Sequence, residues 1–257
     1  MIKRIMSDVD VKAGIQHILK RIDVAYELRP KELKANKPLL VAVSKTKPVE
    51  MIIDAYSVGQ RHFGENYIQE LVEKGNHPDI LAQCPDIKWH FIGHLQSNKI
   101  NKIIKLPNLF MIETVDSQKL ANHLNNAWEK IETENKQPLQ VLIQINTSGE
   151  EAKNGVQPSE ASSLYKFIKE NLKQLDVKGV MTIGAFGFDY SQGPNPDFVK
   201  LMEVHKQICK ENQLNDAELQ VSMGMSDDFE KAIEMGSTIV RVGSSIFGYR
   251  AKKTTTA

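Results

Sequence analysis

Short apolar stretches recur along the chain, and most are separated by segments whose apolar residues repeat with helical spacing. A short apolar run bounded by turn-forming residues indicates a buried strand, whereas apolar positions three or four apart indicate an amphipathic helix. The predicted strands cover residues 39–45, 61–67, 88–93, 109–115, 139–146, 177–184, 219–225 and 239–248. The predicted helices cover residues 9–28, 48–58, 68–74, 98–106, 117–134, 158–175, 197–212 and 227–235.

The alternation of these elements predicts a (β/α)8 TIM barrel, because such a barrel has eight parallel strands, each followed by a helix, in about 250 residues. We expect a single barrel domain: residues 1–38 form a helix and lead-in, residues 39–248 the barrel, and residues 249–257 a flexible tail. A doubly wound open sheet is the competing architecture. That fold carries a glycine fingerprint after its first strand, where this chain reads SKTKP.

The charge balance changes which partners are expected. Lysine and arginine number 33 against 32 acidic residues, so no net positive field favours nucleic acid or an anionic membrane. Cys84 and Cys209 lack CxxC spacing, which argues against a disulfide framework and a zinc site. No apolar run has the length of a membrane helix, and Asp8 and Asp10 argue against a leader peptide. We expect a cytoplasmic protein, with a mitochondrial fraction left open.

The first strand ends in a lysine, Lys45, just before the helix that Pro48 begins. In a barrel of parallel strands this is the end where active sites lie. A half-buried lysine there loses its proton more easily, because low dielectric disfavours the ammonium, and the free amine can attack a carbonyl. The alternative is an ordinary solvated lysine at a strand end.

The loops after the seventh and eighth strands have the composition of an anion site. They read SMGMSDD over residues 222–228 and RVGSS over residues 241–245. Gly243 allows close backbone approach, Ser226 is predicted where a helix begins, and Ser244 adds a hydroxyl donor. Asp227 and Asp228 oppose this interpretation, since they would repel a phosphate unless they point to solvent. Phosphate sites of TIM barrels commonly lie in these two loops.

Arg241 precedes Gly243 by two residues, so strand alternation places both on the same face of the last strand. An arginine inside the barrel needs a partner. The two candidates are an interior carboxylate such as Glu65 and the ring nitrogen of a bound heterocycle. His90 is interpreted as a core histidine with satisfied hydrogen bonds rather than as a ligand.

A carbonyl-capturing lysine, a phosphate cup and a polar group for a ring together describe pyridoxal phosphate (PLP). The motifs VAVSK, HFGENYIQE, WHFIGHLQSNK, QINTSGEEAKNG, SMGMSDDF and VRVGSSIFG resemble those of the pyridoxal phosphate homeostasis protein family, over residues 39–248. The fold of that family is similar to the barrel domain of alanine racemase. The resemblance implies an internal aldimine on Lys45, Asn66 beside the cofactor, Arg241 at the pyridine nitrogen, and Ser226, Gly243 and Ser244 at the phosphate.

The resemblance implies a carrier that buffers PLP as a Schiff base and hands it to apo-enzymes, not an enzyme. A PLP-dependent racemase or decarboxylase is the alternative, although an arginine at the ring nitrogen makes the ring a poorer electron sink. Racemisation also needs a second acid or base, which alanine racemases take from another domain and a partner subunit. We therefore expect a monomeric carrier. A Schiff-base aldolase without cofactor is a third interpretation.

Overall fold

The computed structural model describes residues 9–33, 36–132, 136–150, 154–185 and 187–249. Residues 1–8 and the predicted tail beyond Tyr249 lie outside this range. In the described residues, parallel strands pair in chain order and the last pairs with the first, so the barrel is closed. The strands are β1 (Leu39–Val43), β2 (His62–Glu65), β3 (Lys88–Phe91), β4 (Leu109–Val115), β5 (Leu139–Gln144), β6 (Leu175–Met181), β7 (Gln220–Ser222) and β8 (Ile239–Val242). The predicted TIM barrel is confirmed.

Helices surround the barrel, and all but the first and the last of those named here connect successive strands. They are α1 (Val11–Leu28), α2 (Val49–Ser57), α3 (Ile68–Gly75), α4 (Pro78–Gln83), α5 (Ile100–Ile103), α6 (Gln118–Glu129), α7 (Ala161–Asn171), α8 (Pro196–Glu211), α9 (Phe229–Glu234) and α10 (Ser244–Phe247). Of the described residues, none belongs to a helix long and apolar enough to cross a membrane.

The first helix, α1, packs on the outside of the barrel beside the last two helices. The side chain of Asp10 caps it by accepting a hydrogen bond from the amide of Ala13, and its buried face presents Ile15 and Ile18. It packs against α9 and α10. A Cβ added at Gly14 would lie 3.0 Å from the carbonyl oxygen of Ile246, so a glycine lets α1 approach α10 closely.

The strands separate two apolar cores, because successive side chains on a strand point to opposite faces. The larger core lies between the strands and the surrounding helices. The smaller core fills the barrel interior and consists of Val41, Met111, Leu142, Met181 and Ile239. The interior above it is polar.

Several predicted boundaries were wrong. The eighth strand was predicted to run through residue 248, but β8 ends at Val242 and α10 begins at Ser244. The predicted helix over residues 158–175 includes the first residue of β6, and the one over residues 117–134 ends at Glu129. Helix α4 was not predicted. Apolar residues such as the buried Phe247 suit a strand and a short helix equally well, so a short run cannot fix where one element ends.

Candidate functional site

A cavity of about 830 Å³ opens at the carboxyl ends of the barrel strands. It also borders Ile183 and Tyr249, whose exposed apolar surfaces form part of its rim. The structure brings all the residues predicted for the cofactor site around this one cavity, although the roles assigned to them stay predictions. They are Lys45, Asn66, Ser226, Arg241, Gly243 and Ser244.

Lys45 lies half-buried in the turn that follows β1. Its two neighbours in sequence each donate a hydrogen bond to a glutamate side chain. The hydroxyl of Ser44 donates to Glu65 Oε1 at 2.7 Å. The amide of Thr46 donates to Glu70 Oε2 at 2.6 Å, and Thr46 has a φ of 63°, a left-handed conformation that is costly for a β-branched residue. The chain around Lys45 is therefore fixed on both sides.

A single buried lysine, Lys74 of α3, joins these contacts. Its Nζ donates to the carbonyl oxygen of Ser44, to Glu65 Oε1 and to Glu70 Oε2, each at 2.8 Å. We call Ser44, Glu65, Glu70 and Lys74 the lysine clamp. Burial raises the pKa of Glu65, and the attraction and hydrogen bond of Lys74 oppose that rise.

Glu65, named as one of two candidate partners of Arg241, does not pair with it. Glu65 points outward from β2 into the lysine clamp, whereas Arg241 points into the barrel and lines the cavity. Arg241 Nη1 donates to the hydroxyl of Ser222 at 2.6 Å, and Nη2 donates to the carbonyl oxygen of Thr182 at 2.7 Å. Because Asn66 faces the cavity, strand alternation turns its neighbour Glu65 to the other face.

The interior carboxylate that serves Arg241 is Glu113. Its Oε2 accepts from the Ser222 hydroxyl at 2.6 Å, and its Oε1 accepts from His90 Nδ1 at 2.8 Å. Burial on its own raises the pKa of Glu113, but the hydrogen bond and charge of His90, with Arg241 and Ser222, outweigh it, so that pKa lies below its ordinary value. Burial lowers the pKa of Arg241, and Glu113 opposes that fall. His90 is fully buried and has two partners, as predicted for a core histidine.

Asn66 follows β2 and carries an unmatched acceptor. Its Oδ1 is buried and has no hydrogen-bond partner among the described residues. A buried acceptor without a donor costs free energy, so such an atom in a cavity wall is suited to a ligand that donates. A Cβ at Gly93 would lie 1.9 Å from the carbonyl oxygen of Asn66, so a glycine is needed for the two loops to pack.

The loops after β7 and β8 meet at Ser226. Its Oγ accepts from the amides of Gly243 at 3.2 Å and Ser245 at 3.5 Å, so both amides point to an acceptor at the cavity wall. Gly224 has a φ of 94°, and a Cβ there would lie 2.5 Å from the Cβ of Ala232, so glycine is required. Ser226 does not begin a helix as predicted. It lies in a turn, and α9 begins at Phe229.

The two aspartates of this loop differ. Asp227 is exposed, which meets the condition that its charge point to solvent. Asp228 Oδ1 accepts from the amide of Met225 at 2.6 Å, and burial raises its pKa although that bond opposes the rise. Both still line the cavity.

Sequence reasoning missed Glu113, Ser222 and Thr182. Glu113 had a usable signal, because it is the one charged residue within the apolar run LFMIETV. Ser222 and Thr182 are small polar residues near strand ends and gave no signal of their own. With them, the cavity combines an amine on one wall, a guanidinium inside the barrel, and amides with hydroxyls at β7 and β8. Such a set can bind an anionic aromatic aldehyde.

The sequence of this chain is similar to a family model and to proteins named for pyridoxal phosphate homeostasis. The family model of the alanine racemase N-terminal domain matches residues 25–251. The pyridoxal phosphate homeostasis protein of Homo sapiens is 50% identical over 244 residues, covering 95% of this chain and 88% of that protein. The protein of that name from Haemophilus influenzae is 43% identical over 241 residues, covering 92% and 96%.

Solved structures of similar fold include PipY of Synechococcus elongatus without PLP and with PLP bound. Their TM-scores are 0.73 and 0.71 at 30% and 29% identity, and each comparison covers 90% of this chain and 100% of PipY. An alanine racemase from Clostridium difficile has a TM-score of 0.66 at 15% identity, over 94% of this chain and 61% of the racemase. The racemase supports the fold alone.

Proposed function

Because the chain belongs to the pyridoxal phosphate homeostasis protein family, we propose that it binds PLP in the cavity above the barrel. In this proposal PLP forms a Schiff base with Lys45 and is later supplied to apo-enzymes. The observation that carries it is the convergence on one cavity of an amine, a buried guanidinium, and hydroxyl and amide groups of the loops after β7 and β8. The PLP-bound structure of PipY supports PLP as the ligand.

The residues present fit the chemical groups of PLP. The amine of Lys45 would attack the aldehyde carbon, and water would leave as the C=N bond forms. The hydroxyls of Ser226 and Ser244 and the amide of Gly243 would hold the phosphate. Asn66, with its unmatched Oδ1, would lie beside the ring and accept a hydrogen bond.

Arg241 would face the pyridine nitrogen, and this favours storage over catalysis. A guanidinium stays protonated and only donates hydrogen bonds, so it pairs with an unprotonated ring nitrogen. A carboxylate in the same place would accept a hydrogen bond and so favour a protonated ring nitrogen. The unprotonated ring is a poorer electron sink for racemisation or decarboxylation. The second lysine of the cavity, Lys47, donates to the carbonyl oxygens of Gly248 and Tyr249 at 2.8 and 3.2 Å.

The first experiment is the absorption spectrum of the purified protein incubated with PLP, before and after borohydride reduction, with peptide mapping. We expect a visible Schiff-base band and a reduced adduct on Lys45, with both lost in Lys45→Ala. Lys47→Ala is the matched control, because this lysine lines the same cavity two residues away. Its adduct should remain on Lys45. An adduct on Lys47 in the unmodified protein, or no band at all, would contradict the assignment.

Delivery is tested separately by mixing the loaded protein with several apo-enzymes and measuring recovery of their activity. We expect recovery beyond that given by the PLP that the loaded protein releases into buffer alone. Recovery no faster than this control would reduce the role to storage. Turnover of amino acids by the loaded protein would favour the racemase or decarboxylase alternative, and turnover of a sugar phosphate without PLP would favour the aldolase.

A further inference from the structure

A continuous row of hydrogen-bonded side chains runs inside the barrel from its amino-terminal end to the cavity. His62 Nδ1 lies 2.8 Å from His90 Nε2, and His90 Nδ1 lies 2.8 Å from Glu113 Oε1. Glu113 Oε2 then meets the hydroxyl of Ser222 at 2.6 Å, and that hydroxyl meets Arg241 Nη1 at 2.6 Å. We call these five residues the barrel column.

The donors and acceptors between Glu113 and Arg241 can be arranged in one way only. An ionised carboxylate only accepts and a guanidinium only donates. The hydroxyl of Ser222 must therefore donate to Glu113 and accept from Arg241. The bond from Nη2 to the carbonyl of Thr182 fixes a second point of the guanidinium plane. With two of its nitrogens held, the Arg241 guanidinium has little freedom to rotate.

The column is not explained by packing. Its three central members, His90, Glu113 and Ser222, are fully buried. Burying such a group of charges costs desolvation free energy, and well-packed apolar residues in its place are often as stable or more so. The neighbouring layer of the same barrel interior is apolar. A polar column that leads to one arginine at the cavity therefore suggests a role at that arginine.

We propose that Glu113, acting through Ser222, is a positioning residue that orients the Arg241 guanidinium toward the ring nitrogen of the bound cofactor. This inference rests on the proposed function, since it needs PLP in the cavity. Glu113 also supplies a negative charge that compensates the buried guanidinium of Arg241.

The test compares two ligands across column variants. Binding of PLP and of its 1-deaza analogue, in which a C–H replaces the ring nitrogen, is measured for the unmodified protein, Ser222→Ala and Glu113→Gln. We expect each variant to bind PLP about tenfold more weakly, the loss of one charge-assisted hydrogen bond, and the analogue less than about twofold more weakly. Ser222→Ala removes a single oxygen atom, so it keeps the test open if Glu113→Gln does not fold.

Ser237→Ala is the matched control. Ser237 is also fully buried, but its hydroxyl is hydrogen-bonded to backbone carbonyls, those of Met223, Val221 and Ile239, and none of these residues belongs to the column. Its loss should reduce stability while the ratio of the two affinities stays constant. Equal weakening of both ligands in the column variants, or no weakening of either, would overturn the positioning role. Failure of the unmodified protein to bind PLP at all would instead overturn the proposed function.

Discussion

Two fully buried glutamates, Glu65 on β2 and Glu113 on β4, face opposite sides of the same barrel wall. Glu65 points outward to Lys74, and burial raises its pKa. Glu113 points inward to His90 and Ser222, whose hydrogen bonds hold its pKa below the ordinary value against the effect of burial.

The difference shows that burial alone does not decide whether the pKa of a carboxyl group lies above or below its ordinary value. Lys74 is nine residues from Glu65 in the chain, so this pair is made between a strand and the helix that follows it. Ser222 is 109 residues from Glu113, so that contact exists only once the barrel is closed. The first glutamate fixes the backbone around Lys45, and the second reaches the cavity through Arg241.

The largest expected effect follows from breaking the lysine clamp. Lys74→Met leaves Glu65 buried without its cation, and we expect a loss of about 4 kcal/mol in the free energy of unfolding near neutral pH. Without Lys74 the raised pKa of Glu65 rises further, so the carboxylate protonates more readily. The loss should therefore be smaller at about pH 5 than at about pH 8. Urea denaturation at both pH values measures it.

The control for this variant is Lys231→Met, because Lys231 forms an exposed ion pair with Glu234. We expect it to cost at most about 0.5 kcal/mol at either pH. A similar cost for the two lysine variants would show that the clamp contributes no more than a surface pair.

The second prediction separates the glutamates by pH. We expect Glu113→Gln to cost about 3 kcal/mol and Glu65→Gln about 2 kcal/mol, with opposite trends. The lowered pKa of Glu113 means that its stabilisation is complete above its unfolded pKa and is lost as pH falls through its folded pKa. The raised pKa of Glu65 means that its stabilisation is complete at low pH and declines as pH rises through its folded pKa.

The penalty of Glu113→Gln should therefore grow with pH in the acidic range, and that of Glu65→Gln should shrink in the range above the ordinary glutamate value. Unfolding free energies of the three proteins across about pH 3.5 to 7 measure both trends. If the stability losses of the two variants changed with pH in the same direction, the predicted contrast between the two carboxylates would be wrong.

The smallest effect concerns the serines attached to each glutamate. Ser44→Ala removes the hydrogen bond to Glu65, and we expect a loss of about 1 kcal/mol in stability. Because Ser44 does not touch the barrel column, the relative affinity for PLP and its 1-deaza analogue should not change. A change as large as that expected for Ser222→Ala would mean that ring-nitrogen recognition depends on the wall around Lys45 as well.

Much of the architecture could be predicted from local patterns. The strands are short apolar runs and the helices carry periodic apolar faces, so their order indicated the barrel. The position of Lys45 just beyond the carboxyl end of β1 followed from the same pattern. Element ends were less certain, as α10 shows, because apolar residues near a strand end can also begin a helix.

The choice of Glu65 as a candidate partner of Arg241 was the main error at the site. Alternation placed Arg241 inside the barrel, and applied to β2 from Asn66 it would have placed Glu65 outside. Alternation could not identify Glu113, because it gives the face of a residue but not its height in the barrel. Which residue of β4 lies at the height of Arg241 on β8 depends on how far each strand is shifted along its neighbours. A register shift between Ile112 and Val115 changes that match further.

The sequence by itself determined the order of the strands and that Lys45, Asn66 and Arg241 lie at or near the carboxyl ends of their strands, since these features depend on local periodicity and turn chemistry. Only the tertiary structure decided that Glu113 and Ser222 support Arg241, and that Lys74 holds one neighbour of Lys45 directly and the other through Glu70. The physical reason is that these bonds require atoms to lie within about 3 Å of each other. Closure of the barrel fixes such distances between distant residues, and no local pattern records them.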